Sequence, residues 1–391
     1  HRQNLQEPSN LEKMKLTKYL FFFIFIISCE KKFAYKNLMK EDVLYLSKDS
    51  LEGRETGTKG ELLAAAYIKN KFVELNLKSI GIKDYYQNFN FNPSNDPHKE
   101  TSFIDIKNDS AITGINVMGY IDNKTENTIV IGAHYDHLGY NKQNSLSREK
   151  ERQIHNGADD NASGTAMMID LARKLINSNK KNNYLFIAFS GEEIGLLGSN
   201  YFTKNPTINL SKINYMINMD MVGRLRNDST LAVYGVGTSP IFKQTLNSNN
   251  KVFKLSLKDS GVGPSDHTSF YLNEIPVLHF FTGQHEDYHK PSDDYIKINF
   301  EGMNKISNYI FTVISDLDDN GKLKFQKTKN ESQEVPRFKV SLGVIPDYLY
   351  DGEGMRIDGI TESRPAQIAG LLKGDIVIKI GEYEVKNMMG Y

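Results

Sequence analysis

Thr128-Ile-Val-Ile-Gly-Ala-His134-Tyr-Asp136-His-Leu-Gly139 is an apolar run that stops at side chains able to bind metal or carry protons. Such a run reads as a buried strand with a functional loop at its carboxyl end. The pattern recurs. Tyr184–Phe189 leads into Ser190-Gly-Glu192-Glu193-Ile-Gly, and Met216-Ile-Asn-Met leads into Asp220-Met-Val-Gly223. Asn156-Gly-Ala-Asp159-Asp160-Asn-Ala-Ser-Gly164 opens a helical stretch, and Asp287-Tyr288-His289-Lys-Pro-Ser-Asp293 follows the apolar Pro276–Phe281. His134, Asp160, Glu193, Asp220 and His289 together offer two imidazoles and three carboxylates. That donor set suits two zinc ions with one carboxylate shared.

Outward from these motifs, strands and helices alternate. Strands are expected at Asn88–Phe91, Ser102–Ile106, Asn116–Ile121, Thr128–Ala133, Tyr184–Ser190, Asn214–Met219, Thr230–Tyr234 and Pro276–Phe281. Helices are expected at Gly164–Asn177, Ser239–Asn247 and Asn299–Leu317. Two amphipathic stretches, around Leu38–Leu46 and Glu61–Leu75, precede them and flank a glycine-punctuated loop. The fold class is therefore α/β, a mixed, mostly parallel sheet flanked by helices. Ligands of such sheets collect beyond the carboxyl ends of the strands.

The chain has 391 residues, with 48 basic against 48 acidic side chains. That balance gives no field favouring a nucleic-acid partner. Cys29 is the only cysteine, which excludes an intrachain disulfide and a thiolate zinc site. Lys13, Lys15 and Lys18 precede the apolar run Tyr19–Ser28, which reads as an export signal too short to span a bilayer. Ile26-Ile-Ser-Cys29 resembles the lipobox of bacterial lipoproteins. That resemblance implies export and a lipid anchor on Cys29 at the periplasmic face or cell surface. The expected organisation is upstream residues and signal at 1–29, a catalytic unit at 33–317, a polar linker at 318–337 and a small β-rich unit at 338–391.

The five motifs, taken in order with Asp49-Ser-Leu-Glu-Gly-Arg-Glu-Thr-Gly-Thr58, resemble the two-zinc aminopeptidase family over roughly residues 37–317. That family includes bacterial leucyl aminopeptidases, aminopeptidase Y and glutamate carboxypeptidase. The resemblance implies the zinc exopeptidase fold and peptide substrates. It places His134 and Asp220 on one Zn2+ and Glu193 and His289 on the other, with Asp160 bridging and the peptide after it cis. Asp159 competes for the bridging role; Asp160 has the family's spacing to Ser163-Gly164. Glu192 would act as general base and then general acid on a water activated by the two ions.

Asp136, two positions after His134, would accept the other ring N–H of that histidine. Tyr288 matches an oxyanion-stabilising tyrosine of some members, or is a rim residue. Asp266 and His267 recur near the substrate in the family, or form the pocket wall. Arg224 reads as a structural ion-pair partner. His137, His155, His279 and His285 read as loop or wall histidines, and Asp293 and Asp294 as turn caps. Leu342–Tyr391 resembles the start of a PDZ domain, which implies a peptide ligand added as a strand; an unrelated β domain is the alternative. The expected activity is zinc aminopeptidase. A carboxypeptidase-like or glutaminyl-cyclase-like hydrolase and a non-catalytic peptide-binding lipoprotein are the rivals.

Overall fold

The apolar runs become the strands of one sheet. The computed structural model describes residues 38–93, 102–105, 108, 110–140, 144–147, 151–178, 181–328, 342–346, 350, 352–360, 364–386 and 391. The expected export signal and Cys29 lie outside the described residues. The strands are β1 (Lys78–Ser79), β2 (Tyr86–Phe91), β3 (Phe103–Ile104), β4 (Ile112–Ile121), β5 (Thr128–His134), β6 (Asn183–Phe189), β7 (Ile213–Met219), β8 (Thr230–Tyr234), β9 (Lys254–Leu257) and β10 (Val277–Phe281). They run in the order β3-β2-β4-β6-β5-β7-β10-β8-β9, with β1 paired to β4. The centre, β6-β5-β7-β10, is parallel, and antiparallel pairs lie on both flanks. This matches the expected class.

Every residue of β5, β6 and β7 is buried, because helices cover both faces. The helices are α1 (38–46), α2 (Lys59–Glu74), α3 (Gly164–Leu175), α4 (Leu197–Lys204), α5 (Phe242–Asn249), α6 (His267–Tyr271) and α7 (Phe300–Leu317). In α7, Met303, Ile306, Ile310, Val313, Ile314 and Leu317 recur at helical spacing and enter the main core. Its first turn is capped by the Asn299 side chain, which accepts from Gly302 N at 2.8 Å.

Register brings the carboxyl ends of the central strands level. His134 on β5 pairs with Phe189 on β6, and Asn218 on β7 pairs with His279 on β10. Four of the five candidate ligands therefore leave one edge of the sheet.

The expected linker does not start at 318. Leu323 is buried in the main core, and Gln326 N donates to Thr238 O at 2.8 Å. The catalytic unit thus extends to at least Thr328; residues 329–337 of the expected linker lie outside the described residues. Beyond them, β11 (Val344–Pro346), β12 (Met355–Ile360) and β13 (Ile376–Val377) pair antiparallel around Met355, Ile357 and Val385.

Candidate metal centre

His134 closes β5 with its ring buried. Its Nε2 lies 3.4 Å from Asp160 Oδ1 and 3.3 Å from Asp220 Oδ1. On the other side of Asp160, His289 Nε2 lies 3.3 Å from Asp160 Oδ2 and 3.1 Å from Glu193 Oε2. Asp160 therefore turns one oxygen to each half of the cluster. A tetrahedral ion with bonds of about 2.0–2.1 Å sets its donors roughly 3.3–3.4 Å apart. The histidine-to-carboxylate distances in both halves fit that spacing, and in the first half His134, Asp160 and Asp220 also bring one donor atom each within 4.8 Å of one another. Electrostatics agrees. Burial alone would depress both imidazoles, yet the surrounding carboxylates push His134 and His289 well above the ordinary range. A cluster that draws protons onto buried histidines is one that favours cations.

Local sequence explains each placement. The peptide Asp160–Asn161 is cis, as the resemblance implies. Asn161 stitches this turn to the end of β7. Its Nδ2 donates to Met219 O at 3.0 Å and its Oδ1 accepts from Met221 N at 3.2 Å. Gly164 is required here, since a Cβ would stand 2.3 Å from Met219 O. Asp293 Oδ2 accepts the N–H groups of Asp159 and Asp160, at 2.9 and 3.0 Å. It therefore holds the bridging turn and is not merely a cap for its own. Asp159 points away, accepting from Gly223 N at 2.6 Å and facing His285 Nε2 at 3.1 Å. The two adjacent aspartates are thereby separated, and Asp160 is the one in the cluster.

His289 has a left-handed backbone, φ 54°. Its Nδ1 sits 3.0 Å from Asn144 O, which leaves Nε2 for the cluster. Asn144 Nδ2 in turn donates to Glu193 O at 3.2 Å. Arg224 pairs with Asp287 at 3.0 Å, a structural role.

Asp136 departs from expectation. His134 Nδ1 is 3.2 Å from the backbone carbonyl of Asp136 and 3.6 Å from its carboxylate, so the carbonyl fixes the tautomer. The carboxylate instead accepts from Glu192 N at 3.2 Å and Thr56 Oγ1 at 3.1 Å. Two residues after His134 the chain leaves the strand, and strict alternation no longer applies. Asp136 thus anchors the loop that carries Glu192.

Glu192 and Glu193 are neighbours in the chain, yet their side chains converge. Each brings a carboxylate oxygen into one group with the His134 ring, all within 4.8 Å. Burial holds Glu192 well above the usual carboxylate range; the charges of Asp220, Glu193 and Asp266 add to this, while His134 opposes it.

His137 was read as a wall residue. Its Nδ1 is 2.6 Å from Glu193 Oε1 and 4.0 Å from Asp160 Oδ2. With Asp160 and Glu193 it forms another possible donor group among the described residues. Burial and the Asp160 charge would raise Glu193, but His289 and His137 outweigh them and hold it at about 2. Its place one residue after Asp136 gave no spacing rule by which the sequence could single it out.

The cluster floors a cavity of about 100 Å³, walled by Met221, Tyr234, Pro264, Phe281 and Tyr288, with His279 and Gln284 also lining it. The Tyr288 ring stacks on His289 at 3.9 Å. Asp266 and His267 are fully buried behind this wall and do not line it. Ser265, beside them, donates to Asp220 Oδ2 at 2.8 Å.

A family model for Peptidase family M28 matches residues 116–314. A probable leucine aminopeptidase of Trichophyton verrucosum is 28% identical over 224 residues, covering 54% of this chain and 53% of that protein. The chain spans about half the length, or less, of the curated relatives it matches. Among solved structures, a Zn-dependent exopeptidase from Parabacteroides distasonis aligns with TM-score 0.58 and 17% identity, covering 71% of this chain and 97% of that one. A glutaminyl cyclase from Bacteroides thetaiotaomicron aligns with TM-score 0.56 and 18% identity, covering 71% and 97%. Peptidase and cyclase share this fold, so the choice between them rests on the site.

Proposed function

The chain belongs to peptidase family M28, and from that premise we propose that it is a two-zinc aminopeptidase. The donor set supports two ions. His134, Asp160 and Asp220 would hold one Zn2+, and His289, Glu193 and Asp160 the other. When bound, zinc supplies Lewis acidity that polarises a substrate carbonyl and acidifies water.

The observation that carries the exopeptidase direction is the charge of the cavity floor. Its lining includes Asp160, Glu192, Glu193 and Asp220, and no Arg or Lys lines it among the described residues. A free ammonium finds a carboxylate there in Glu192, which the proposed ligand set leaves uncommitted, whereas no Arg or Lys is present among the described residues of the lining to hold a free carboxylate. Glu192, held protonation-prone by burial, takes a proton from the attacking water and returns it to the leaving amine. Met221, Tyr234 and Phe281 offer an apolar surface to the first side chain. Tyr288 stands at the rim, within the same lining, in reach of a developing oxyanion.

The test compares leucyl-nitroanilide with its N-acetylated form, with and without chelator. Cleavage confined to the free amine and abolished by chelation supports the reading. Preference for the blocked substrate, or cleavage indifferent to chelation, refutes it.

We further infer an exported enzyme anchored through Cys29, on the strength of the lipobox-like segment. Metabolic labelling with a radioactive fatty acid should mark the wild type and not Cys29→Ser. The PDZ-like unit is proposed to capture peptide strands. Supporting this is the antiparallel set β11-β12-β13, a frame to which an extended peptide can add. An extended C-terminal peptide titrated onto the full chain should perturb this unit; no response would remove the proposal.

A further inference from the structure

The cavity wall is apolar except in one place. His279 sits in the middle of β10, 4% exposed, and lines the cavity. Tyr234 stacks on it at 5.7 Å and Phe281 lies at 6.0 Å. Behind it, the His267 ring lies 4.5 Å away. All four ring nitrogens of this histidine pair lack a hydrogen-bond partner, as does Oε1 of the neighbouring lining residue Gln284. A buried polar atom left without a partner is costly, because it gives up its bonds to water and gains none in return. Three of these atoms sit on side chains that line the cavity and two stand on the ring directly behind it, a concentration out of keeping with a purely structural role.

Burial brings His279 down to about 4, with Asp220 opposing, and burial, with His279 adding to it, holds His267 well below its ordinary value. Both rings are therefore neutral at physiological pH. A neutral imidazole offers one donor and one acceptor. An amide tip offers both in return, and Gln284 Oε1 adds an acceptor. A charged side chain seated against His279 would have to bury its charge between the Tyr234 and Phe281 rings, neither of which is an ion.

We propose that His279, backed by His267 and flanked by Gln284, is the specificity-determining wall of the first side-chain pocket. It selects N-terminal residues that end in an uncharged hydrogen-bonding group, glutamine foremost. This rests on the aminopeptidase reading and narrows it. A site built to hydrogen-bond a substrate group discriminates against an analogue lacking it, because its own buried groups are then left unpaired.

The experiment uses the full, zinc-loaded chain with glutaminyl- and methionyl-nitroanilides. Both side chains are unbranched and similar in length; only glutamine carries an amide. The readout is the ratio of their kcat/KM values, which a general loss of activity leaves unmoved. His279→Phe keeps the stacked ring and removes the nitrogens. It should lower the glutamine-to-methionine ratio at least tenfold, and Gln284→Met at least threefold. The second variant decides the matter if the first fails to fold. Equilibrium binding of L-glutamine and L-methionine by calorimetry gives an independent reading. If neither nitroanilide is cleaved yet glutamine binds better and His279→Phe erases that preference, the peptidase reading falls and the pocket assignment stands. If the ratios and binding preferences are unchanged in both variants, these atoms are met by water alone and the proposal is overturned.

Discussion

Glu192 shows how one residue's role depends on its neighbours. Its backbone is pinned by the Asp136 carboxylate, its side chain lines the cavity, and burial disfavours its charge. Glu192→Gln keeps the shape and removes the proton carrier. It should retain zinc stoichiometry by atomic absorption and lose at least about a hundredfold in kcat, the scale of general acid–base catalysis. Full turnover in that variant would take the role from Glu192. His137 makes a different case. Its contact with Glu193 Oε1 orients a proposed ligand, so His137→Ala should weaken zinc retention about 10- to 100-fold in a competition assay with a chromogenic chelator. Unchanged affinity would reduce His137 to a wall residue. The proposed ligands were legible because each closes a recognisable motif. His137 was not, because a histidine one residue past Asp136 carries no spacing rule; only the curl of the loop after β5 turns it inward.

At the scale of elements, the loop before α2 does more than connect. Glu52, Gly53 and Arg54 all have left-handed φ, at 49°, 70° and 52°. That curl wraps the chain around the buried Arg54 guanidinium. It donates to Tyr135 O at 2.7 Å, Asn156 O at 2.7 Å and Gly157 O at 3.0 Å, and also to Leu46 O. Tyr135 follows His134, and Gly157 opens the turn of Asp160, so one cation braces two arms of the metal cluster. A lysine cannot span four carbonyls with three donors. Arg54→Lys should therefore cost about 3 kcal/mol in urea unfolding, from the carbonyls left unpaired. A loss under about 1 kcal/mol would make the brace dispensable. This loop was visible in the sequence as a motif, but its reach was not, since hydrogen bonds spanning 81 to 103 residues leave no local trace. The elements missed altogether share one cause. α4 (Leu197–Lys204) and the five-residue α6 are short and polar, and β9 carries lysine at an edge. Periodicity needs length and burial to show. The central strands had both.

For the whole molecule, the consequence is a stability that depends on metal and on pH together. Glu61 and Asp266 are pushed up to about 7 and Asp293 to about 6, each first by burial. His134 and His289 are raised as well. A group raised in the folded state contributes stability that is complete below its unfolded pKa and is lost as pH climbs through the folded one. All five therefore act in the same direction between about pH 5 and 8. Glu193, held at about 2, and Asp160, held well below its ordinary range, act oppositely only in acid below about pH 4.5, whereas His155, His267 and His279, lowered by burial, act oppositely up to about pH 6.5. Above about pH 6.5 only the raised groups still titrate, so chelated protein should melt at a temperature that falls by several degrees from about pH 6.5 to 8. Zinc reverses the trend, because cation binding replaces protons on the histidines and strengthens as they are removed. At a hundredfold excess over its Kd, a ligand bound only by the folded state adds about 2.7 kcal/mol. The gap between zinc-loaded and chelated melting temperatures should therefore widen steadily over that pH range by calorimetry. A gap that narrows toward pH 8 would mean that the buried carboxylates do not converge on a cation.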